Sequence, residues 1–119
     1  MASEHSDSEI AVSVVIPVFN EELSLPPLRN ELFPVLESLG EPFEVIFVDD
    51  GSTDRSPEIL RSFYEQDARV SVVRFGRNFG QQWATTAGLQ YARGEAVIIM
   101  DADLQQPAEY IPQLLARLR

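Results

Sequence analysis

Four runs of apolar residues rich in Val and Ile recur along the chain, at Ala11 to Val18, Phe43 to Val48, Val70 to Phe75 and Ala96 to Met100. Short β-branched runs of this kind suit strands buried on both faces of a sheet. Between and after them the apolar positions change to helical spacing. Leu25, Leu28, Leu32, Val35, Leu36 and Leu39 share one face, Ile59, Leu60 and Phe63 another, and Ile111, Leu114, Leu115 and Leu118 a third. Ser24 followed by Pro26-Pro27 reads as a helix start, since Pro is tolerated in a first turn, and Pro34 is expected to bend that helix. A further helix is expected from about 78 to 92. There Trp83 reads as core rather than as a cofactor stack, the small Ala84, Ala87 and Gly88 allow close packing, and Gly94 ends the element.

Strand and helix alternate four times. The pattern predicts an α/β domain: a Rossmann-like parallel sheet with right-handed crossovers and helices on both faces. Residues 1–10 are polar and acidic without periodicity and read as a disordered tail containing the lone His5, which leaves 11–119 as one domain.

Composition narrows the chemistry. The chain of 119 residues carries a formal charge of -10, and all nine of its basic residues are Arg. That balance argues against a nucleic-acid partner, because phosphate backbones are held by clustered cations. An anionic ligand would need help, and a metal ion supplies concentrated positive charge where side chains do not. There is no Cys, hence no disulfide, thiol nucleophile or zinc-thiolate site. No apolar run approaches the roughly 20 residues that span a bilayer, and the first residues lack the pattern of a secretory signal, so the chain as it stands is expected to be soluble.

In parallel sheets ligands bind beyond the carboxyl ends of the strands. Three of those ends are acidic: Ile16-Pro17-Val18-Phe19-Asn20-Glu21-Glu22, Val48-Asp49-Asp50-Gly51-Ser52-Thr53-Asp54 and Met100-Asp101-Ala102-Asp103-Leu104-Gln105. Each alone is equally readable as turn and cap chemistry, but three at one sheet edge favour a ligand site. Asp101 and Asp103 leave a buried strand together, and two carboxylates with the Gln105 amide suit Mg²⁺ or Mn²⁺. Of Asp49 and Asp50, one is expected to cap the turn and the other, Asp50, to accept hydrogen bonds from a ribose or base. Gly51 serves either a tight turn or a close approach of ligand. The loop with Pro17, Phe19 and Glu21 reads either as a base pocket or as a helix lead-in. Arg77, in Gly76-Arg77-Asn78-Phe79-Gly80, faces two readings as well, a phosphate contact or an ordinary carboxylate pair. A phosphoacceptor signalling domain is disfavoured by the absence of Lys, and a nicotinamide dehydrogenase by the absence of G-x-G-x-x-G after the first strand.

In that order and at those separations, the three strand-end motifs together with Arg77-Asn78-Phe79-Gly80 and Gln106-Pro107 resemble the amino-terminal part of a family 2 glycosyltransferase of GT-A fold. The resemblance is greatest to the polyprenyl-phosphate sugar transferases. It implies the nucleotide-binding half of that fold, with Pro17, Phe19, Glu21, Val48, Asp50, Asp101, Ala102, Asp103 and Gln105 at a nucleotide-sugar site. It implies Asp103 and Gln105 as metal ligands, and Asp101 with Asp103 as the catalytic carboxylates. Phe19 stands where many relatives have Tyr, so a hydroxyl is missing there. The implied reaction is inverting transfer from a UDP- or GDP-sugar to a lipid phosphate. Such enzymes are longer. The resemblance therefore implies a chain truncated at its carboxyl terminus, an acceptor half and membrane association at the cytoplasmic face belonging to the parent, and surfaces left open to homo-oligomerisation. A non-catalytic nucleotide-binding or assembly fragment is the alternative.

Overall fold

The computed structural model describes residues 9–103 and 107–119. Of the expectations above, those on Met1 to Ser8, including His5, and on Leu104, Gln105 and Gln106 lie outside the described residues.

Four strands, β1 (Val12–Val18), β2 (Phe43–Asp49), β3 (Val70–Arg74) and β4 (Ala96–Ile99), alternate with helices α1 (Leu25–Ser38), α2 (Ser56–Gln66), α3 (Gln81–Tyr91) and α4 (Ile111–Leu118). All strand pairings are parallel, in the order β3-β2-β1-β4. The α/β class expected from the alternation is the one observed.

Period-2 alternation distributes β1 and β2 between two cores. Val12, Val14, Ile16 and Val18 of β1, with Phe43, Val45 and Phe47 of β2, join Leu28, Leu32 and Leu36 of α1, Leu60 and Phe63 of α2, and Ile111 and Leu115 of α4 in the larger one. Val15, Ile46 and Val48 point to the other face and meet Ala84 of α3. Three helices thus cover one face and one helix the other. Ile10, placed by sequence at the edge of the tail, is buried, and its carbonyl accepts from the Glu95 amide.

The single helix approaches very closely. A Cβ on Gly88 would lie 2.4 Å from Val15 Cγ1 and 3.1 Å from Val48 Cγ2, so α3 rests on the sheet through a residue without a side chain. This corrects the reading of Trp83: small residues make the contact, and Trp83 is 65% exposed. Gly94 does not end α3 either. The helix closes at Ala92, and Gly94 passes so near β1 that a Cβ would lie 2.7 Å from Ser13 N.

At the amino end of the sheet a buried carboxylate joins three elements. Glu44 Oε2 accepts from Ser13 Oγ at 2.6 Å and from the Arg93 amide at 2.7 Å, Oε1 accepts from the Arg93 guanidinium at 3.0 Å, and Ser13 Oγ accepts from the Gly94 amide. Glu44 and Ser13 lie on the α3 face below the small core, where an unpartnered polar group would be costly. Replacing Glu44 with Ala is expected to lower stability by about 2 kcal/mol, read as a lower urea midpoint with an unchanged slope. An unchanged midpoint would show that the network adds nothing.

Candidate functional site

Because β1 lies between β2 and β4, the three acidic strand ends are neighbours. The chain runs outward from β1 to β2 and β3 and then crosses back to β4 on the other side of β1. The crevice beyond β1 and β4 is therefore the topological switch point, where open parallel sheets leave room for ligands. A cavity of about 220 Å³ lies there, lined by Pro17, Val18, Phe19, Glu21, Asp50, Gln81, Asp101, Ala102 and Asp103. It gathers seven of the nine residues expected at a nucleotide-sugar site. Val48 is not among them: it is fully buried in the core under α3. Gln105 is outside the described residues.

The loops after β1 and β2 are stitched to each other. Asn20, at φ 53°, accepts the Thr53 amide on its Oδ1 at 2.8 Å and donates its own amide to Ser52 Oγ at 2.9 Å. The Glu21 amide donates to Ser56 Oγ and the Glu22 amide to Asp54 Oδ2. Asp49 takes the capping role, accepting the Ser52 amide at 3.0 Å, with Arg74 Nε 3.6 Å from its other oxygen. The turn and cap reading holds for part of each of these motifs, and other residues of the same motifs line the cavity. Asn20, Glu22, Asp49, Ser52, Asp54 and Ser56 build the rim, while Phe19, Glu21 and Asp50 face the cavity.

Asp50 does more than line it. Its buried carboxylate accepts the Phe79 amide at 2.8 Å on Oδ1, and the Gly80 amide and Asn78 Nδ2 at 3.0 Å each on Oδ2. This is why α3 begins at Gln81 and not at the expected Asn78: the preceding residues are folded around Asp50. Gly51, at φ 76°, completes the junction, since a Cβ there would lie 2.2 Å from the Arg77 carbonyl carbon. Gln81, which sequence reasoning passed over, reaches across β1 and donates from Nε2 to Asp101 Oδ1 at 3.3 Å. The segment 78–81 thus bridges the β2 and β4 ends. The short, glycine-bounded run Gly76-Arg77-Asn78-Phe79-Gly80 just before Gln81 was the available signal.

The cavity is acidic. Glu21, Asp50, Asp101 and Asp103 line it, and no Arg is among its lining residues. Burial pushes the Glu21 carboxyl above its ordinary value; a hydrogen bond from Ser24 opposes the rise, and the charges of Asp103, Asp54 and Asp101 add to it. That repulsion, together with oxygen-only donors, fits a hard divalent cation. Among the described residues no three acidic or imidazole side chains converge as a ready-made cage. The donor set therefore suits an ion that takes the rest of its shell from water and ligand oxygens.

A sequence model described as Glycosyl transferase family 2 matches residues 13–119. The undecaprenyl-phosphate 4-deoxy-4-formamido-L-arabinose transferase of Pseudomonas paraeruginosa is 51% identical over 107 residues, 89% of this chain and 32% of that protein. The structure of S. aureus TarS 1–349 in complex with UDP-GlcNAc superposes with a TM-score of 0.69 at 29% identity, over 90% of this chain and 30% of that one. The mannosyltransferase PcManGT from Pyrobaculum calidifontis, in complex with GDP-Man and Mn²⁺, gives 0.65 at 32% identity, over 83% and 29%. The chain spans about a third of the length of the curated relatives it matches.

Substituting Gly51 with Ala is expected to cost about 2 kcal/mol through strain at positive φ and to displace the 77–80 backbone. Chemical unfolding and the amide shifts of residues 77–80 read both effects. Native stability with unmoved amides would contradict the close approach.

Proposed function

Since the chain belongs to glycosyl transferase family 2, we propose that its strand-end cavity holds the nucleoside diphosphate of a sugar donor together with Mg²⁺ or Mn²⁺. On this reading the chain is the donor half of an inverting transferase whose acceptor is a polyprenyl phosphate. The observation that carries the reading is the set of four carboxylates lining one cavity at the switch point of the sheet. Relatives support it: one is named for undecaprenyl phosphate, and similar structures contain UDP-GlcNAc, or GDP-Man with Mn²⁺.

Pro17, Phe19, Glu21, Asp50 and Ala102 are assigned to the nucleoside, with Val48 supporting the floor from the core side. Phe19, 45% exposed at the cavity, offers a ring for packing against a base or ribose. Asp103 and Gln105 are assigned to the metal, and Asp101, held by Gln81, to the ribose or the outer metal shell. When bound, the cation supplies positive charge to the leaving diphosphate. In the whole protein an acceptor phosphate oxygen attacks the anomeric carbon from the side opposite the diphosphate. The carbon–oxygen bond to the nucleotide breaks, and the configuration inverts. A phosphate acceptor is already anionic near neutral pH, so none of the carboxylates has to remove a proton from it. Asp101 and Asp103 act electrostatically and by orientation.

No helix among the described residues is long and apolar enough to cross a membrane. A polyprenyl acceptor nonetheless puts the whole protein at a membrane surface, which we assign to the cytoplasmic side. Donor binding is the part of the function that this chain is expected to carry by itself. Calorimetric titration with UDP and with GDP, each with and without Mn²⁺, is expected to show metal-dependent binding of one nucleotide that Asp103→Ala abolishes. A folded chain that binds neither nucleotide in the presence of Mn²⁺ would overturn the assignment.

A further inference from the structure

Arg77 stands out at the carboxyl-end rim. Of the other arginines there, Arg74 pairs with Asp49 and Arg55 with Glu58. Arg77 is exposed, and the contact recorded for its guanidinium is a ring: Cζ lies 4.4 Å from the Phe79 centroid. Among the described residues no carboxylate pairs with it, in a chain whose net charge is -10. The carboxylate-pair reading of Arg77 is therefore not the one the structure bears out.

Its position is also fixed from below. The peptide after Arg77 sits on Gly51, where a side chain would collide, and the next three residues are held by the Asp50 carboxylate. Phe79 is in turn braced edge-on by Phe75, with ring centroids 5.6 Å apart. The segment that carries Arg77 continues directly into Gln81 at the cavity wall. A guanidinium whose backbone and stacking partner are both anchored loses little freedom when it binds, and Arg is suited to phosphate by its fork of donors.

Two aromatic side chains of the same segment are exposed. Phe79 is 49% exposed, and Trp83, in the first turn of α3, is 65% exposed. A fixed cation leading into exposed aromatic surface matches an amphiphile with an anionic head and a hydrocarbon tail. An inorganic ion would use the cation alone.

We propose that Arg77, backed by Phe79 and followed by Trp83, is the subsite for the phosphate and first isoprenoid unit of the lipid acceptor. The inference rests on the donor-site reading above, because the segment that carries the subsite supplies Gln81 to that cavity. It adds a second, cationic station beside the metal-dependent one.

The test is calorimetry on the wild-type chain and on Arg77→Gln with three probes: farnesyl monophosphate as a water-soluble isoprenoid phosphate, inorganic phosphate, and the nucleotide with Mn²⁺. Arg77 is exposed, so the substitution leaves the fold intact. The wild type is expected to bind farnesyl monophosphate more tightly than inorganic phosphate. Arg77→Gln should weaken farnesyl monophosphate about tenfold or more, the loss of charged hydrogen bonds, while nucleotide affinity is kept. Equal affinity for the two phosphates would overturn the lipid assignment. Loss of nucleotide affinity with farnesyl monophosphate unaffected would overturn it in favour of a donor contact. Nucleotide binding by a wild type that ignores farnesyl monophosphate would overturn this inference and leave the donor site standing, whereas failure of nucleotide binding counts against the donor site itself.

Discussion

A carboxylate as deeply buried as that of Asp50 must have donors around it, and it finds them in the Asn78 amide and the backbone of Phe79 and Gly80. The rest of the site depends on this pairing. It fixes where α3 starts and, through Gln81, ties the end of β2 to the end of β4 across β1. It also explains Gly51. The two backbones meet at a distance that no other residue type permits, and the positive φ removes the remaining candidates. A rim built this way is preorganised before any ligand arrives.

The opposite end of the sheet uses the same device for a different purpose. Glu44 is as buried as Asp50 and gathers Ser13 and Arg93, but it lies below the α3 core, away from the cavity. One buried carboxylate locks the frame, and the other shapes the pocket. At the pocket, burial raises the Glu21 carboxyl above its ordinary value, and the nearby charges of Asp103, Asp54 and Asp101 add to the rise. That concentration of negative charge is why we propose a divalent cation for the crevice, since such an ion offsets the charge gathered there.

Much of the architecture was legible in the residue pattern. The runs around Val14 and Val45 predicted strands buried on both faces because their neighbours alternate between two cores, and the Leu spacing of α1 marked its buried stripe correctly. The first turn of α3 was not legible. The expected start at Asn78 is overridden by Gly80, at φ 114°, and by the distant Asp50, around which residues 78–80 fold. Trp83 failed for a related reason: size suggested core, whereas the closeness of Gly88 to Val15 decides which face of α3 meets the sheet. The acidic motifs were found readily, but their division into rim builders and cavity residues depends on pairs more than thirty positions apart, such as Asn20 with Thr53. Val48 belonged to the expected site by resemblance, and its side chain lies in the core.

The central claim is spatial: Glu21, Asp50, Asp101 and Asp103 surround one metal-dependent nucleotide site at the crevice beyond β1 and β4. Paramagnetic relaxation tests it directly. With ¹⁵N-labelled chain, nucleotide and substoichiometric Mn²⁺, the account predicts broadening strongest at the amides of residues 18–22, 50–52, 80–82 and 101–105, and weakest around Glu44 and Arg93. Broadening centred on the Glu44 end, or spread evenly over the acidic surface, would contradict it.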